Sequence, residues 1–293
     1  MTYRGDSTLR RRRSLPAAVS FVSKLNGCTQ PSIVMTTGAE LWVLKFRNFG
    51  NPNALLNEAV GTGLMSQMGL PTPRWSPILV TDEFIDSHPE AWFQRPGITA
   101  LRPEPGLHFG SRLTLSADGL PTYQVIPTLW HDRVANREDF AGALVADLWT
   151  NNCDRRQCLF LSTGHKLHAT FIDNNACFGG FKGTARASPR LLMMPSPQLF
   201  VEALKESVLS HWKRVVDRIS EAPLDQLFEQ IPSEWADASA VHHTRAQLTS
   251  RHNRLEVMLA EAVAYLRGGA VGVDVSARST LEPRRTSSWG KQV

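Results

Sequence analysis

Strand signals crowd the first half of the chain and long amphipathic patterns fill the second, and this segregation most constrains the fold. Val19-Ser20-Phe21-Val22, Ser32-Ile33-Val34-Met35 and Leu41-Trp42-Val43-Leu44-Lys45-Phe46 are short β-branched or aromatic runs, with turns at Asn26-Gly27 and Thr37-Gly38 between them. Such runs predict an antiparallel meander. A helix is expected over 53–68. Asn53 is its N-cap, Leu56, Val60, Leu64 and Met68 lie on one face, and Gly69 and Pro71 stop it. Gly61 and Gly63 lower helix propensity there and point to close packing against a neighbour. Trp75 to Val80 and Tyr123 to Ile126 read as strands, whereas the Pro- and Gly-rich stretch 89–119 takes no assignment. Beyond it lie a helix over 138–149, strands at Cys158-Leu159-Phe160-Leu161 and Ala169-Thr170-Phe171-Ile172, and then helices. One is capped by Ser196 with Pro197 at its start and carries the stripe Phe200, Leu204, Val208, Trp212, Val215 and Ile219. A short helix near 224–230 and a long one over 244–267 follow. The order implies an α+β fold rather than a doubly wound sheet.

Charge narrows the partners. The chain carries a net +5, and the arginine-rich first 13 residues and the segment 268–293 together hold a surplus of six positive charges. Residues 14–267 are therefore near neutral, at −1, which gives little support to a phosphate-backbone interface outside the basic tails. No apolar run approaches the ~20 residues that span a bilayer. Lys24 follows Phe21 and Val22 too closely for a secretory core. Cys28, Cys153, Cys158 and Cys177 do not make a secreted disulfide framework. The expected setting is soluble, reducing and cytoplasmic, with no membrane contact.

Four residues remote along the chain suggest chemistry. Lys45 ends the third strand, Glu58 lies in the next helix, Asp154 follows a helix in a polar loop, and Asp173 ends a strand nineteen residues later. Phosphoryl transfer from ATP asks for these roles: a lysine on phosphates, a glutamate that fixes it, an aspartate that orients the acceptor hydroxyl, and an aspartate for magnesium. A turn at Gly27 would let backbone approach the phosphates. Each residue also has an ordinary reading. Lys45 could be a solvated strand end, Glu58 a surface residue, Asp154 an ion-paired turn with Arg155 and Arg156, and Asp173 with Asn174 and Asn175 plain turn chemistry. Their joint order favours the nucleotide site. The phosphate loop of P-loop enzymes, the dinucleotide fingerprint and the serine-hydrolase elbow are missing from the sequence. Cys153 and Cys158, with His165 and His168 beyond an apolar strand, do not have zinc spacing.

From Phe21 to about Phe181 the sequence resembles the HipA-like kinases, within the protein-kinase-like fold. The resemblance is carried by Leu44-Lys45-Phe46 with Asn57-Glu58, by the block from Asp147 to Gln157, and by Phe171-Ile172-Asp173. It implies a bilobal α+β architecture, with a small antiparallel N-lobe bearing one helix and a mainly helical C-lobe. The expected division is a disordered tail 1–14, an N-lobe 15–112, a C-lobe 113–267 and a disordered tail 268–293, with the crossing near Phe109 to Thr128. By the same resemblance Lys45 would hold nucleotide phosphates and Glu58 would pair with it. Asp154 would be catalytic, Asp173 would bind metal, and Gly27, Cys28 and Thr29 would form the phosphate-covering turn. ATP and magnesium are the implied cofactors, and a protein substrate and an antitoxin-like partner the implied partners.

The sequence departs from the family pattern in three places. The asparagine that serves as second metal ligand is missing after Asp154, where Gln157, Asn152, Asn174 or Asn175 could serve. The phosphate turn has one glycine, and the metal segment reads Ile172-Asp173-Asn174. The leading expectation is a Ser/Thr protein kinase or autokinase. A nucleotide-binding pseudokinase and a small-molecule kinase of aminoglycoside type are the alternatives.

Overall fold

A computed structural model describes residues 15–47, 52–95, 97–180, 185, 187, 192 and 196–269. The expected tail 1–14 and residues 270–293 of the expected C-terminal tail lie outside the described residues, as do 181–184.

The meander forms as its turns predict: β1 (Ala18–Lys24), β2 (Ser32–Thr36) and β3 (Leu41–Lys45) pair antiparallel in sequence order. Helix α1 (Ala54–Gln67) and β4 (Trp75–Val80) follow. A short helix, α2 (Asp82–Ser87), is capped by the Thr81 hydroxyl, which accepts from the Phe84 amide at 3.2 Å. The unassigned stretch holds three strands. β5 (Phe93–Arg95) and β6 (Ile98–Leu101) make a hairpin, and β7 (Gly106–Arg112) enters the main sheet between β3 and β4. The order β1-β2-β3-β7-β4 thus places a strand with few β-formers near the centre. Gly110 explains this: a Cβ there would sit 2.3 Å from the Ile78 side chain, so the sheet packs where the side chain is missing. Val34, Trp42, Leu44, Ile78 and Val80 form the apolar face of this sheet, closed by Phe84 and Ile85 of α2.

The second half builds on α3 (Asp139–Trp149), buried along almost its whole length. It packs against a three-stranded sheet of β8 (Thr122–Tyr123), β9 (Gln157–Thr163) and β10 (Lys166–Ile172), in the order β10-β9-β8. Of the strand expected over 123–126, only Tyr123 is in β8, and 124–126 are not strand. Phe140 joins the layers, with its ring 5.3 Å from Phe171 and 5.2 Å from Phe200. The helix expected from 196 to 219 is two, α4 (Pro197–Ala203) and α5 (Glu206–Asp217). The chain leaves helical geometry at Leu204 and Lys205, so that Phe200 meets Phe140 while Trp212 covers Gly142 of α3. After α6 (Glu221–Glu229), the long helix expected over 244–267 is also two, α7 (Ala238–His252) and α8 (Leu255–Gly269), parted at Asn253 and Arg254. Among the described residues no helix is long and apolar enough to cross a membrane.

The two halves meet over α1. Its residues from Leu55 to Met65 are all buried, where the sequence pattern predicts a single apolar face. Leu56, Val60 and Leu64 join the core of the second half, while Leu55 and Ala59 pack with Phe109 and Trp235. The Trp235 indole reaches back and donates to the Leu107 carbonyl at 2.7 Å.

Candidate functional site

The alternation of β3 decides where Lys45 goes. Trp42 and Leu44 are buried in the apolar face, so Lys45 takes the other side of the sheet. There its ammonium donates to Glu58 Oε2 at 2.7 Å and to Asp173 Oδ1 at 2.8 Å. Glu58 is on α1, and Asp173 is the first residue after β10, with a left-handed backbone of φ 64°. Gln157 pairs in register with Ile172 across β9 and β10, which brings its amide beside Asp173, and Nε2 donates to Asp173 Oδ2 at 2.7 Å. Helix α1 and the end of β10 therefore converge on the cation that ends β3, with β9 bracing Asp173. The Asp173 side chain is the most open of the group, 24% exposed against 11% for Lys45 and 4% for Glu58.

Helix α1 also grips the segment behind Asp173. Asn57 donates to the carbonyls of Asn175 and Cys177, at 3.2 and 2.8 Å. The Asn174 amide donates to Glu58 Oε2 at 3.2 Å, and the Asn174 side chain donates to the Thr62 hydroxyl at 3.0 Å. Gly61 is what permits this approach, since a Cβ there would lie 2.6 Å from Asn174 Cβ. The close packing expected at Gly61 and Gly63 is thus found, against Asn174 and Cys177 in one case and Leu227 in the other.

Burial by itself would lower the Lys45 ammonium, but Asp173 and Glu58 together raise it above its ordinary value. Burial raises the Glu58 carboxyl, and Lys45 only partly opposes this. Asp173 is also pushed up by burial, yet Lys45, Arg156 and Gln157 bring it below the usual carboxylate range. Asp173 is thus the carboxylate held ionised, while Glu58 serves as the buried anchor of the ammonium.

The loop after α3 is organised differently. Asp154 is exposed; its Oδ1 accepts from the Arg155 amide at 2.7 Å, and its own amide donates to Asn152 Oδ1 at 3.2 Å. Arg156, read as a possible ion-pair partner of Asp154, instead turns inward. It is buried on Asp147 of α3, its Nε donating to Asp147 Oδ2 at 3.0 Å and its Nη2 to Oδ1. Asn152 is buried too, with its amide nitrogen on Asp147 Oδ1 at 2.9 Å. Of the amides considered for a second metal ligand, Asn152 and Asn174 are buried, and the Asn152 oxygen already accepts from the Asp154 amide. Gln157 is the amide that lies beside Asp173.

Gly27, Cys28 and Thr29 form a turn at the end of β1, with Gly27 at φ 144° and the Gln30 amide donating to the Gly27 carbonyl at 3.1 Å. Gln30 ties the turn to β5 by accepting from the Gln94 amide at 2.9 Å. The four cysteines are free thiols, and burial pushes Cys158 and Cys177 up to about 12, which removes them as nucleophiles. Among the described residues no group of three or more His, Cys, Asp or Glu could hold a metal by itself. Magnesium does not need such a cage, because it is bound through one or two carboxylates plus substrate phosphates. Asp173 fits that donor set; the Gln157 amide turns its nitrogen to Asp173 here, so its oxygen would join only after the amide rotates.

Asn57, Asp147 and Arg156 are structural keys of the site to which no role is given by the sequence reading. A signal existed for Asp147: it is a lone charge in the apolar run Phe140-Ala141-Gly142-Ala143-Leu144-Val145-Ala146-Asp147-Leu148-Trp149, and so demands a buried cation.

Comparison with known proteins bears on the family and the fold. A family model described as HipA-like kinase matches residues 20–264. No curated protein matches the chain. Among solved structures, the Helicobacter pylori proinflammatory kinase CtkA superposes with a TM-score of 0.54 at 11% identity, over 83% of this chain and 96% of that one. The hydra Fam20 structure with sugar gives 0.56 at 10% identity, over 86% and 87%. A Golgi casein kinase with Mn and ADP bound gives 0.50 at 13%, over 85% and 75%. At these identities the likeness is one of fold, and the fold is kinase-like and α+β.

Proposed function

The chain belongs to the HipA-like kinase family, and from that premise we propose that it transfers the γ-phosphoryl group of ATP, with magnesium, to a serine or threonine hydroxyl of a protein, its own included. The observation that carries this reading is Lys45 held between Glu58 and Asp173 at 2.7 and 2.8 Å, by elements remote in sequence.

Each residue has a part in it. Lys45 would lend its ammonium to the phosphate oxygens, with Glu58 fixing its position from behind. Asp173 and the amide oxygen of Gln157 would hold the divalent cation, which when bound neutralises phosphate charge. The Gly27-Cys28-Thr29 turn would cover the phosphates with backbone amides. Asp154, exposed to an incoming hydroxyl, would accept or orient its proton. Binding of Mn and ADP by a Golgi casein kinase of similar fold supports the cofactor assignment. A division into lobes after Arg112, a cytoplasmic setting and an antitoxin-like protein partner belong to the same proposal, on family membership.

The test is phosphotransfer to a protein substrate or to the chain itself, with magnesium. Asp154→Asn is expected to lower turnover about 100-fold or more. Asp173→Ala is expected to abolish metal-dependent turnover. Activity retained in both variants overturns the assignment. Nucleotide binding with no transfer under any metal would instead mark a binding module, and transfer only to a cationic sugar would mark a small-molecule kinase.

A further inference from the structure

The buried ion pair behind the site is larger than stability requires. Arg156 is 3% exposed and Asp147 is fully buried in α3. Taking two charges out of water is costly, and an apolar pair of similar volume would serve a core at least as well. What the ion pair offers instead is direction. The Arg156 guanidinium uses all three nitrogens: Nε and Nη2 fork onto Asp147, and Nη1 donates to the Ile172 carbonyl at 2.9 Å. That carbonyl belongs to the residue immediately before Asp173. On its other side Asp147 Oδ1 also accepts from the Asn152 side chain at 2.9 Å, and the Asp147 carbonyl accepts from the Asn152 amide at 2.9 Å. Asn152 Oδ1 then receives the Asp154 amide at 3.2 Å. One carboxylate is thus tied to the loop of Asp154 through Asn152, and to the strand end of Asp173 through Arg156. Both places need such holding, because Asn151 and Asp173 have left-handed backbones at φ 52° and 64°.

We propose that Arg156, held by Asp147, is a positioning residue that sets Asp154 and Asp173 at their working separation. The inference rests on the kinase reading for its consequence in turnover, but its geometric content stands by itself. A guanidinium fork is required, so lysine, which carries the charge on one nitrogen, does not replace it. Misplacement of reacting groups by ~1 Å costs about 100-fold in rate.

Arg156→Lys and the paired Asp147→Leu/Arg156→Met variant provide the test. The paired variant is included because a lone Arg156→Ala leaves a buried carboxylate and threatens folding. Melting temperature, kcat, KM for ATP and amide hydrogen exchange by segment are measured on full-length protein. The paired variant is expected to melt within a few degrees of wild type. Both variants should lose about 100-fold in kcat, with KM for ATP changed less than about threefold. Exchange in the paired variant should quicken in both 151–156 and 171–175. Unchanged kcat in both variants overturns the proposal, and so does unchanged exchange in either segment. If the wild type shows no phosphotransfer, the kinase reading falls, and the exchange result still decides whether Arg156 and Asp147 tie the two segments together.

Discussion

Lys45 and Arg156 are both cations on carboxylates, and both touch the segment around Asp173, yet one is half-buried and the other fully buried. Lys45 ends in a compact ammonium shared between Glu58 and Asp173, and the latter stays 24% exposed. Arg156 ends in a fork whose side chain is 1% exposed, on a carboxylate that is 0% exposed. The first cluster can exchange partners when an anion or a cation arrives, because one of its members faces solvent. The second cannot exchange without unpacking α3. The difference teaches that the site combines a reactive ion cluster with a fixed one behind it.

The sharpest way to break the comparison is Arg156→Ala. It strands the Asp147 carboxylate in a dry core, and a loss of about 3–5 kcal/mol is expected in denaturant unfolding. A loss below ~1 kcal/mol would show that Asp147 finds water or another partner, and that the fixed cluster is not fixed.

Lys45→Met should cost less, about 2 kcal/mol at neutral pH. Glu58 is already raised by burial, so it can take a proton when its cation goes. The pH dependence follows. Asp173 has a folded pKa below its unfolded value, so its contribution is present above the ordinary carboxylate range and is lost as pH falls through the depressed value. Glu58, with a raised value, opposes folding as it ionises on the way up. The gap between wild type and Lys45→Met should therefore shrink toward zero as pH falls below about 4. Urea melts across that range check it, and a gap independent of pH would mean that the carboxylates do not depend on Lys45.

How much of this was legible in the sequence varies with what each residue depends on. The meander, α1 and the helix before Asp154 are local patterns, and β-branched runs, glycine turns and a four-residue apolar stripe announce them. β7 was not legible, because its place beside β3 is fixed by Gly110 accommodating Ile78 and Trp42 from other strands. The breaks at Leu204 and Asn253 carry no glycine or proline, and arise from what the flanking helices pack against. Within the site, Lys45, Glu58 and Asp173 were found through their order along the chain, and the structure places them in one cluster. Arg156 is not legible as a buried residue, because an Arg two places from an exposed Asp reads as surface chemistry until the fold turns it inward onto Asp147.

The smallest effects come from the glycines of α1, which set how closely the exchangeable cluster is backed. Gly61→Ala pushes against Asn174 Cβ, a rigid neighbour, and its packing cost outweighs the gain in helix propensity by about 1 kcal/mol. Gly63→Ala places a Cβ 2.3 Å from a methyl of Leu227, a buried core side chain, and a loss of about 1–2 kcal/mol is expected as that core repacks. Thermal melts of the two variants side by side check both, and a gain in stability in either would show that the neighbour yields freely.

The most direct measurement is a calorimetric titration of ATP with and without magnesium, on wild type, Lys45→Ala and Asp173→Ala. Binding strengthened by the metal in wild type and lost in both variants is the predicted result. Nucleotide binding of equal strength in all three proteins, or in wild type no binding at all, would contradict a triphosphate site built on Lys45, Glu58 and Asp173.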